Sequence, residues 1–321
     1  MQRIFSYFRI RPSHFAGWLA VIAFLLPAAA CAQTIDLEGQ TGGYLVPTAY
    51  SIPSDIGKKW SAPTLSFHYL QAGKVVGDFY ISSLTMGYNN FIEFGYTRNS
   101  HSNGSDPFLG TLWQYSGFNV FNGKVRVMKE DWRGKKWIPA ISVGSVVRTE
   151  DYFVTGALVP GAKGPVPQTN ADIYVVGTKL VRQTKIPLLL TAGFRVTNAQ
   201  LYGAGGNAGS KPVCTQTGCT NGGTWSPRGF GSLGIPIPLA KSPTAFVVVP
   251  GAEITQEPRY VENLPQAHIP TTEVYGIRIT RLPNFRYTLD AGVGHVGNMV
   301  TPEFGIHANT VESLAITYRW K

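Results

Sequence analysis

The sequence predicts an all-β protein: a transmembrane antiparallel up-and-down β-barrel of about twelve strands, with short periplasmic turns and long external loops. Three observations predict it. Apolar and polar residues alternate with period two in an even number of segments. The links between those segments alternate in length. The chain also closes on such a segment, "VESLAITYRWK", in which Leu314, Ile316, Tyr318 and Trp320 alternate with Ser313, Ala315, Thr317 and Arg319.

The compartment follows from "MQRIFSYFRIRPSHFAGWLAVIAFLLPAAACAQ". Arg3, Arg9 and Arg11 precede an apolar stretch, Ala16 to Leu26, too short for a permanent span, and Ala30, Cys31 and Ala32 supply the small residues a signal peptidase needs. Cleavage is expected before Gln33, which makes residues 1–32 a signal peptide, 33–62 an N-terminal leader and 63–321 the barrel. The alternative is lipidation of Cys31, although Ala28 stands where lipoprotein signals usually carry Leu. Export with a barrel pattern places the chain in a cell outer membrane of the Gram-negative type.

Removing the signal takes three of 28 basic residues and no acid, so 25 face 18 and the mature chain is formally +7. The cations are scattered with no dense run, so nucleic acid is not an expected partner. No later segment holds the eighteen consecutive apolar residues of a membrane helix. Only 14% of residues are charged, and 36 Gly accompany 15 Tyr and 17 Phe. That is the balance of aromatic-rich strands joined by glycine loops.

Alternation predicts strands near 64–71, 80–88, 92–99, 119–129, 138–148, 173–183, 187–200, 230–239, 244–254, 273–282, 285–296 and 311–320. Most are long enough to cross a bilayer at a tilt. The fourth could begin earlier, which would make the count ten or fourteen. "NNF", "TKI", "AKSP" and "PN" are short links, and "EDWRGKKW" is a modest one. By contrast, "SHSNGSDPFLGTLWQYSGF", "TEDYFVTGALVPGAKGPVPQTNAD" and "LYGAGGNAGSKPVCTQTGCTNGGTWSPRG" are long. A soluble sandwich has no reason to sort links by parity; a barrel with periplasmic turns and external loops does.

Facing gives the same pairing. A loop of Asn89, Asn90 and Phe91 aligns Leu84, Met86 and Tyr88 with Ile92, Phe94 and Tyr96. A loop at Leu282–Asn284 pairs Ile279 with Tyr287, so the two apolar sets share a face. Tyr69, Tyr88, Tyr96, Tyr174, Tyr318 and Trp320 fall toward strand ends, where lipid interfaces hold amphipathic rings. The last strand would pair with the first, leaving no open edge. Its terminal aromatic is the feature that barrel-assembly machinery reads, although Lys321 follows it.

Cys214 and Cys219 in "CTQTGC" form an even pair in an exported chain and are expected to bridge, stapling a loop. With no His nearby they make a poor zinc site, and neither a metal nor any other cofactor is expected.

Three stretches, "GQTGGYLVPTAYSI", "WIPAISVGSVVR" and "DIYVVGTKLVRQTKIPLLLTAGFRVTNAQLYG", together with "GVGHVGNMV", resemble an uncharacterised family of outer-membrane barrels catalogued as a domain of unknown function. The resemblance implies fold and location. It implies no activity.

Alternation places Lys124, Arg126, Arg148, Lys179, Arg195, Arg278, Arg286 and Arg319 in the lumen, against Glu93, Glu253 and Asp290. Such a lining favours anions, and the leading expectation is a narrow anion-leaning channel or solute-specific porin that takes small anionic solutes. The alternative use of these cations is lumenal ion pairing in a filled barrel. The leader Thr34–Ala62 is then either a periplasmic tether or a lumenal plug. An outer-membrane enzyme of the phospholipase or protease type would need a His beside a nucleophile. Ser66 and His68 share the lumenal face and His295 points outward, but neither "GxSxG" nor "HExxH" occurs. A structural or adhesive barrel using loop aromatics such as Trp113 and Trp225 is the third class.

Overall fold

The structure, a computed structural model, describes residues 34–105, 117–150, 169–184, 186–198, 212–215, 218–221, 225–242, 245–256, 271–281, 286–295 and 310–320. The expected signal peptide with Cys31, and most of the long links with Trp113, lie outside the described residues. Twelve strands form one closed antiparallel sheet. They are β1 Thr64–Gln71, β2 Gly77–Tyr88, β3 Ile92–Asn103, β4 Phe118–Met128, β5 Ala140–Glu150, β6 Asn170–Val181, β7 Leu188–Thr197, β8 Ser226–Gly234, β9 Phe246–Thr255, β10 Thr272–Arg281, β11 Tyr287–His295 and β12 Thr310–Arg319. Each strand pairs with its neighbours in the chain. The ring closes where β12 meets β1, with Leu314 opposite Tyr69 and Tyr318 opposite Leu65. Ile237–Pro238 continues β8 along β9 after an interruption at Pro236, which has no N–H to give a ladder. Closure matters because lipid offers nothing to an unpaired backbone group.

The β2–β3 link shows how a short turn is made. Asn89 and Asn90 both take positive φ, 49° and 62°. That matches the twist of the flanking strands, and asparagine tolerates it. The remaining short links span 129–139, 182–187, 235–245 and 282–286, all at the end where β1 begins and β12 stops. At the opposite end the connections run 104–117, 151–169, 198–225, 256–271 and 296–309. The β1–β2 link at 72–76 breaks the length rule: it is short, and turns through Gly73–Val76. Inside the 198–225 connection, Pro212–Thr215 pairs with Gly218–Asn221 and sets Cys214 opposite Cys219.

Outward positions carry an apolar belt that includes Phe67, Leu84, Phe121, Ile173, Phe194 and Ile316, all exposed. In water such a belt would drive association; against acyl chains it is the required surface. Aromatic pairs ring the short-link end, with Trp60 to Tyr88 at 4.8 Å and Tyr318 to Trp320 at 5.3 Å between ring centres. Two expectations of facing are corrected in β6. Tyr174 is lumenal, 1% exposed, and Lys179 lies on the outward parity with Ile173. Apolar residues occupy both faces of this strand, so alternation alone could not orient it. The β10–β11 register is also displaced by two residues: Ile279 faces Leu289 instead of Tyr287. An even displacement preserves parity, so the lumenal set there is unchanged.

The leader lies inside the barrel. Thr34–Ile35 and Thr41–Gly42 pair as a small hairpin. Its turn is held by Asp36 Oδ1, which accepts from the N–H groups of Glu38 and Gln40, each at 2.9 Å. Gly39 takes φ +85° at the tip, and any Cβ there would stand 2.3 Å from Thr97 Oγ1. Only glycine meets both conditions. Val46, Ala49 and Tyr50 then pack on Val120, Val146, Tyr174, Val176, Leu180 and Phe230 as an apolar cluster between plug and wall. The chain leaves at the short-link end, where the Ser61 N–H donates to the Gly87 carbonyl and Trp60 bridges to Tyr88.

Candidate functional site: the plugged lumen

Four points tie the leader to the wall, each pairing a plug group with a lumenal charge. At the tip, Glu38 meets Arg148. Arg148 donates from Nε to Glu38 Oε1 at 2.7 Å, from Nη2 to Glu38 as well, and from Nη1 to Asn170 at 2.9 Å. Asp172 Oδ2 bridges the two guanidinium groups, 2.8 Å from Arg148 and 2.8 Å from Arg195. Arg195 stands 3.7 Å from Glu38 Oε2. Two acids and two arginines make a neutral, buried quartet near the long-link end of β5, β6 and β7. Asn122 donates to the Glu38 carbonyl, Thr85 to that of Gly39, and Tyr174 to Gln40. Burial, and then the Glu38 charge, push the Asp36 carboxyl well above the usual carboxylate range.

Deeper in the lumen, Glu93 accepts from the N–H groups of Thr41 and Ile52, both at 2.8 Å, and pairs with Lys124 at 3.0 Å. Lys124 also donates to Thr41 Oγ1 at 2.6 Å and to the Thr48 carbonyl at 3.0 Å. Every proton of this ammonium has an acceptor, which is what lets it sit fully buried.

The third point reverses the polarity. Glu253 on β9 accepts three successive plug N–H groups, those of Tyr44 at 2.7 Å, Leu45 at 2.8 Å and Val46 at 3.0 Å. Consecutive amides of a turn form an anion-binding nest. Gly43 admits the carboxylate, because a Cβ there would collide with it. Alongside, Gly234, Gly251, Gly276 and Gly292 are cross-strand neighbours on β8 to β11. The Tyr44 ring lies over two of them. A crevice of about 60 Å3, room for a few waters, runs between this bare wall and the plug past Arg278 and Asp290. Arg278 donates to Asp290 at 2.6 Å and to the Gly42 carbonyl at 3.1 Å.

At the short-link mouth, Arg319 donates to the Pro53 carbonyl at 2.6 Å and to Asp55 at 2.7 Å, and Arg126 donates to the Asn90 carbonyl. Tyr50 reaches Glu130 of the β4–β5 link at 3.0 Å.

Of the cations expected in the lumen, Lys124, Arg126, Arg148, Arg195, Arg278 and Arg319 point there, as do Glu93, Glu253 and Asp290. Two do not. Lys179 pairs with Glu130 and Asp131 of the adjacent link, and Arg286 turns onto the rings of Tyr287 and Tyr318 at the rim. Sequence reasoning missed Glu38, Asp172, Asn170 and Tyr174. Asp172 shares lumenal parity with Arg148 and Arg195 across paired strands, a signal that correct orientation of β6 would have exposed. Among the described residues, these six cations face Glu93, Asp172, Glu253 and Asp290, and Arg228 on β8 shares the lumenal parity opposite Arg195. The leader's Glu38 and Asp55 add two acids, paired with Arg148 and Arg319.

Ser66 Oγ stands 2.8 Å from His68 Nε2, and the pair is buried in the lumenal wall beside the backbone of Ile35. His295 is exposed on the outer face. Among the described residues no cluster of His, Cys, Asp and Glu could hold a metal ion.

No protein-family model and no curated protein sequence matches the chain. Solved barrels overlap it in shape. The KdgM porin in complex with disordered oligogalacturonate is 8% identical, with a TM-score of 0.44 over 80% of this chain and 99% of that one. The NanC porin is 11% identical, with 0.45 over 81% and 100%. The β domain of the Bordetella autotransporter BrkA is 12% identical, with 0.43 over 82% and 99%. Porins and an autotransporter β domain thus overlap equally well, and likeness at this level carries neither substrate nor activity across.

Proposed function

We propose that this protein is an outer-membrane channel closed by its own N-terminal segment, with a narrow passage that leans toward anions once that segment is displaced. One observation carries the reading: the acids of the plug neutralise the surplus cations of the wall, so withdrawing it uncovers a net positive lining. Such a lining raises the local concentration of anions and repels cations. On this reading residues 1–32 direct export, lipid faces the apolar belt, and the closing strand engages the barrel-assembly machinery. The Cys214–Cys219 bridge staples an outer loop. The family of uncharacterised outer-membrane barrels that the chain resembles would then share the plug, since "GQTGGYLVPTAYSI" is plug sequence.

The apolar cluster around Val46, Ala49 and Tyr50 favours a second reading, a permanently filled structural barrel. Planar-bilayer recordings separate the two. The full mature chain should conduct little. A variant lacking residues 34–62 should conduct steadily, with a reversal potential in a salt gradient displaced toward the anion. A folded deletion variant that stays silent, or that prefers cations, overturns the channel reading.

A further inference from the structure

The cations outside the lumen gather at one end. Lys58, Lys59, Lys129, Arg133, Lys135 and Lys136 all stand exposed around the short-link rim. Among the described residues the acids of that rim are already taken: Asp55 pairs with Arg319, and Glu130 and Asp131 pair with Lys179. The leader crosses the rim at the same end. The Asn89 N–H donates to the Lys59 carbonyl at 2.6 Å, the Ser61 N–H to the Gly87 carbonyl at 2.9 Å, and the Trp320 N–H to the Pro63 carbonyl at 3.0 Å. These bonds carry Trp60 onto the outer face, where its ring centre lies 4.8 Å from that of Tyr88 and 5.9 Å from that of Phe94. Phe94 belongs to the exposed apolar belt. Between this crossing and the end of β12 opens a pocket of about 410 Å3, whose lining includes Asp55, Lys58, Trp60, Ser61 and Trp320. That volume is within the range of ligand sites.

We propose that this pocket seats the headgroup of an anionic glycerophospholipid from the leaflet at the short-link end, with its phosphate at Lys58 and its glycerol and upper acyl chains against the rings of Trp60 and Trp320. The proposal rests on the membrane placement given above and does not depend on whether the lumen conducts. Depth selects a lipid over a soluble partner. Indole rings are amphipathic and settle where acyl chain meets headgroup, and Trp60 joins the outward belt at that level. Charge selects an anionic lipid. The Lys58 ammonium is a compact point charge suited to a phosphate oxygen, and the other exposed cations of the rim enrich anionic headgroups within a Debye length. Asp55 opposes this little, because Arg319 stands 2.7 Å from it. Lys58 and Trp60 belong to the leader and Trp320 to the closing strand, so a seated lipid ties the root of the plug to the seam of the barrel.

The test is native mass spectrometry of the full mature chain, folded in detergent, with phosphatidylglycerol as the anionic probe and phosphatidylcholine as its zwitterionic match. The first phosphatidylglycerol should bind at least about fivefold more tightly than the first phosphatidylcholine, the factor expected of one lysine contact. Lys58→Gln should abolish that preference, and Lys58→Arg, which keeps the charge, should retain it. Lys136→Gln removes an exposed cation of the same rim outside the pocket and should leave the first binding event unchanged. A heat-dependent gel shift certifies each variant as folded. Equal affinity of the wild-type chain for the two lipids overturns the proposal. So does an equal loss in Lys58→Gln and Lys136→Gln, which would mean diffuse attraction to the rim. Displacement of the bound lipid by an equal concentration of free glycerol phosphate would make the site one for a soluble phosphate, and overturns the lipid assignment. Silence of the variant lacking 34–62 in planar bilayers removes the channel reading and leaves this site untouched.

Discussion

Lys124 and Glu93 are both fully buried, and each is the other's counter-ion. Removing one leaves a charge with no counter-ion away from water, which costs about 3–5 kcal/mol, whereas removing both is far milder. Lys124→Met should therefore lower the urea midpoint of the detergent-folded protein, and Lys124→Met with Glu93→Gln should recover most of the loss. Additive losses in the double variant would show that the two side chains are not partners. The same logic explains why lumenal charge was legible from alternation while its use was not. Arg148, Arg195 and Glu93 could be assigned a side from strand parity, because parity is local. Their partners Glu38 and Thr41 sit in a leader with no periodicity, and contacts across that sequence distance leave no local signature.

The strands were legible to within a few residues because each faces lipid on one side, and lipid enforces alternation. Where the lumenal side packs on the plug, the enforcement lapses. β6 presents Tyr174, Val176 and Leu180 to Val46 and its neighbours and Ile173 to lipid, so both faces read as apolar and its orientation was lost. The β10–β11 hairpin failed more mildly, since a two-residue displacement keeps every side chain on its face. The glycine row on β8 to β11 is the element that admits the second plug turn. A Cβ on Gly276 would stand 2.7 Å from Tyr44 Cε2 and 3.1 Å from the Ala291 carbonyl oxygen. Gly276→Val should displace the Tyr44 ring and raise the open fraction in bilayer recordings several-fold. Gly177→Val is the control, because the atoms nearest its Cβ lie 3.8 Å away, and it should leave the recordings unchanged. Equal behaviour of the two variants would mean that Tyr44 does not seat the plug.

As a whole the molecule is a barrel with two surfaces of opposite character and an interior shared between wall and leader. The outer surface is apolar because lipid is its solvent. The inner one is polar and cationic because its solvent is partly a peptide bearing acids. Residue side chains, turn amides and strand parity all lead to one claim, that residues 34–52 lie within the lumen. Thiol accessibility in outer-membrane vesicles tests it most directly, with Cys214 and Cys219 replaced by Ser. Ala49 is fully buried against Thr178 and Ser142, and Ile56 is fully exposed at the mouth. A cysteine at position 56 should react with a charged maleimide within minutes and one at position 49 at least about a hundredfold more slowly, as burial that opens only by unseating the plug requires. Equal labelling rates at the two positions would contradict the account.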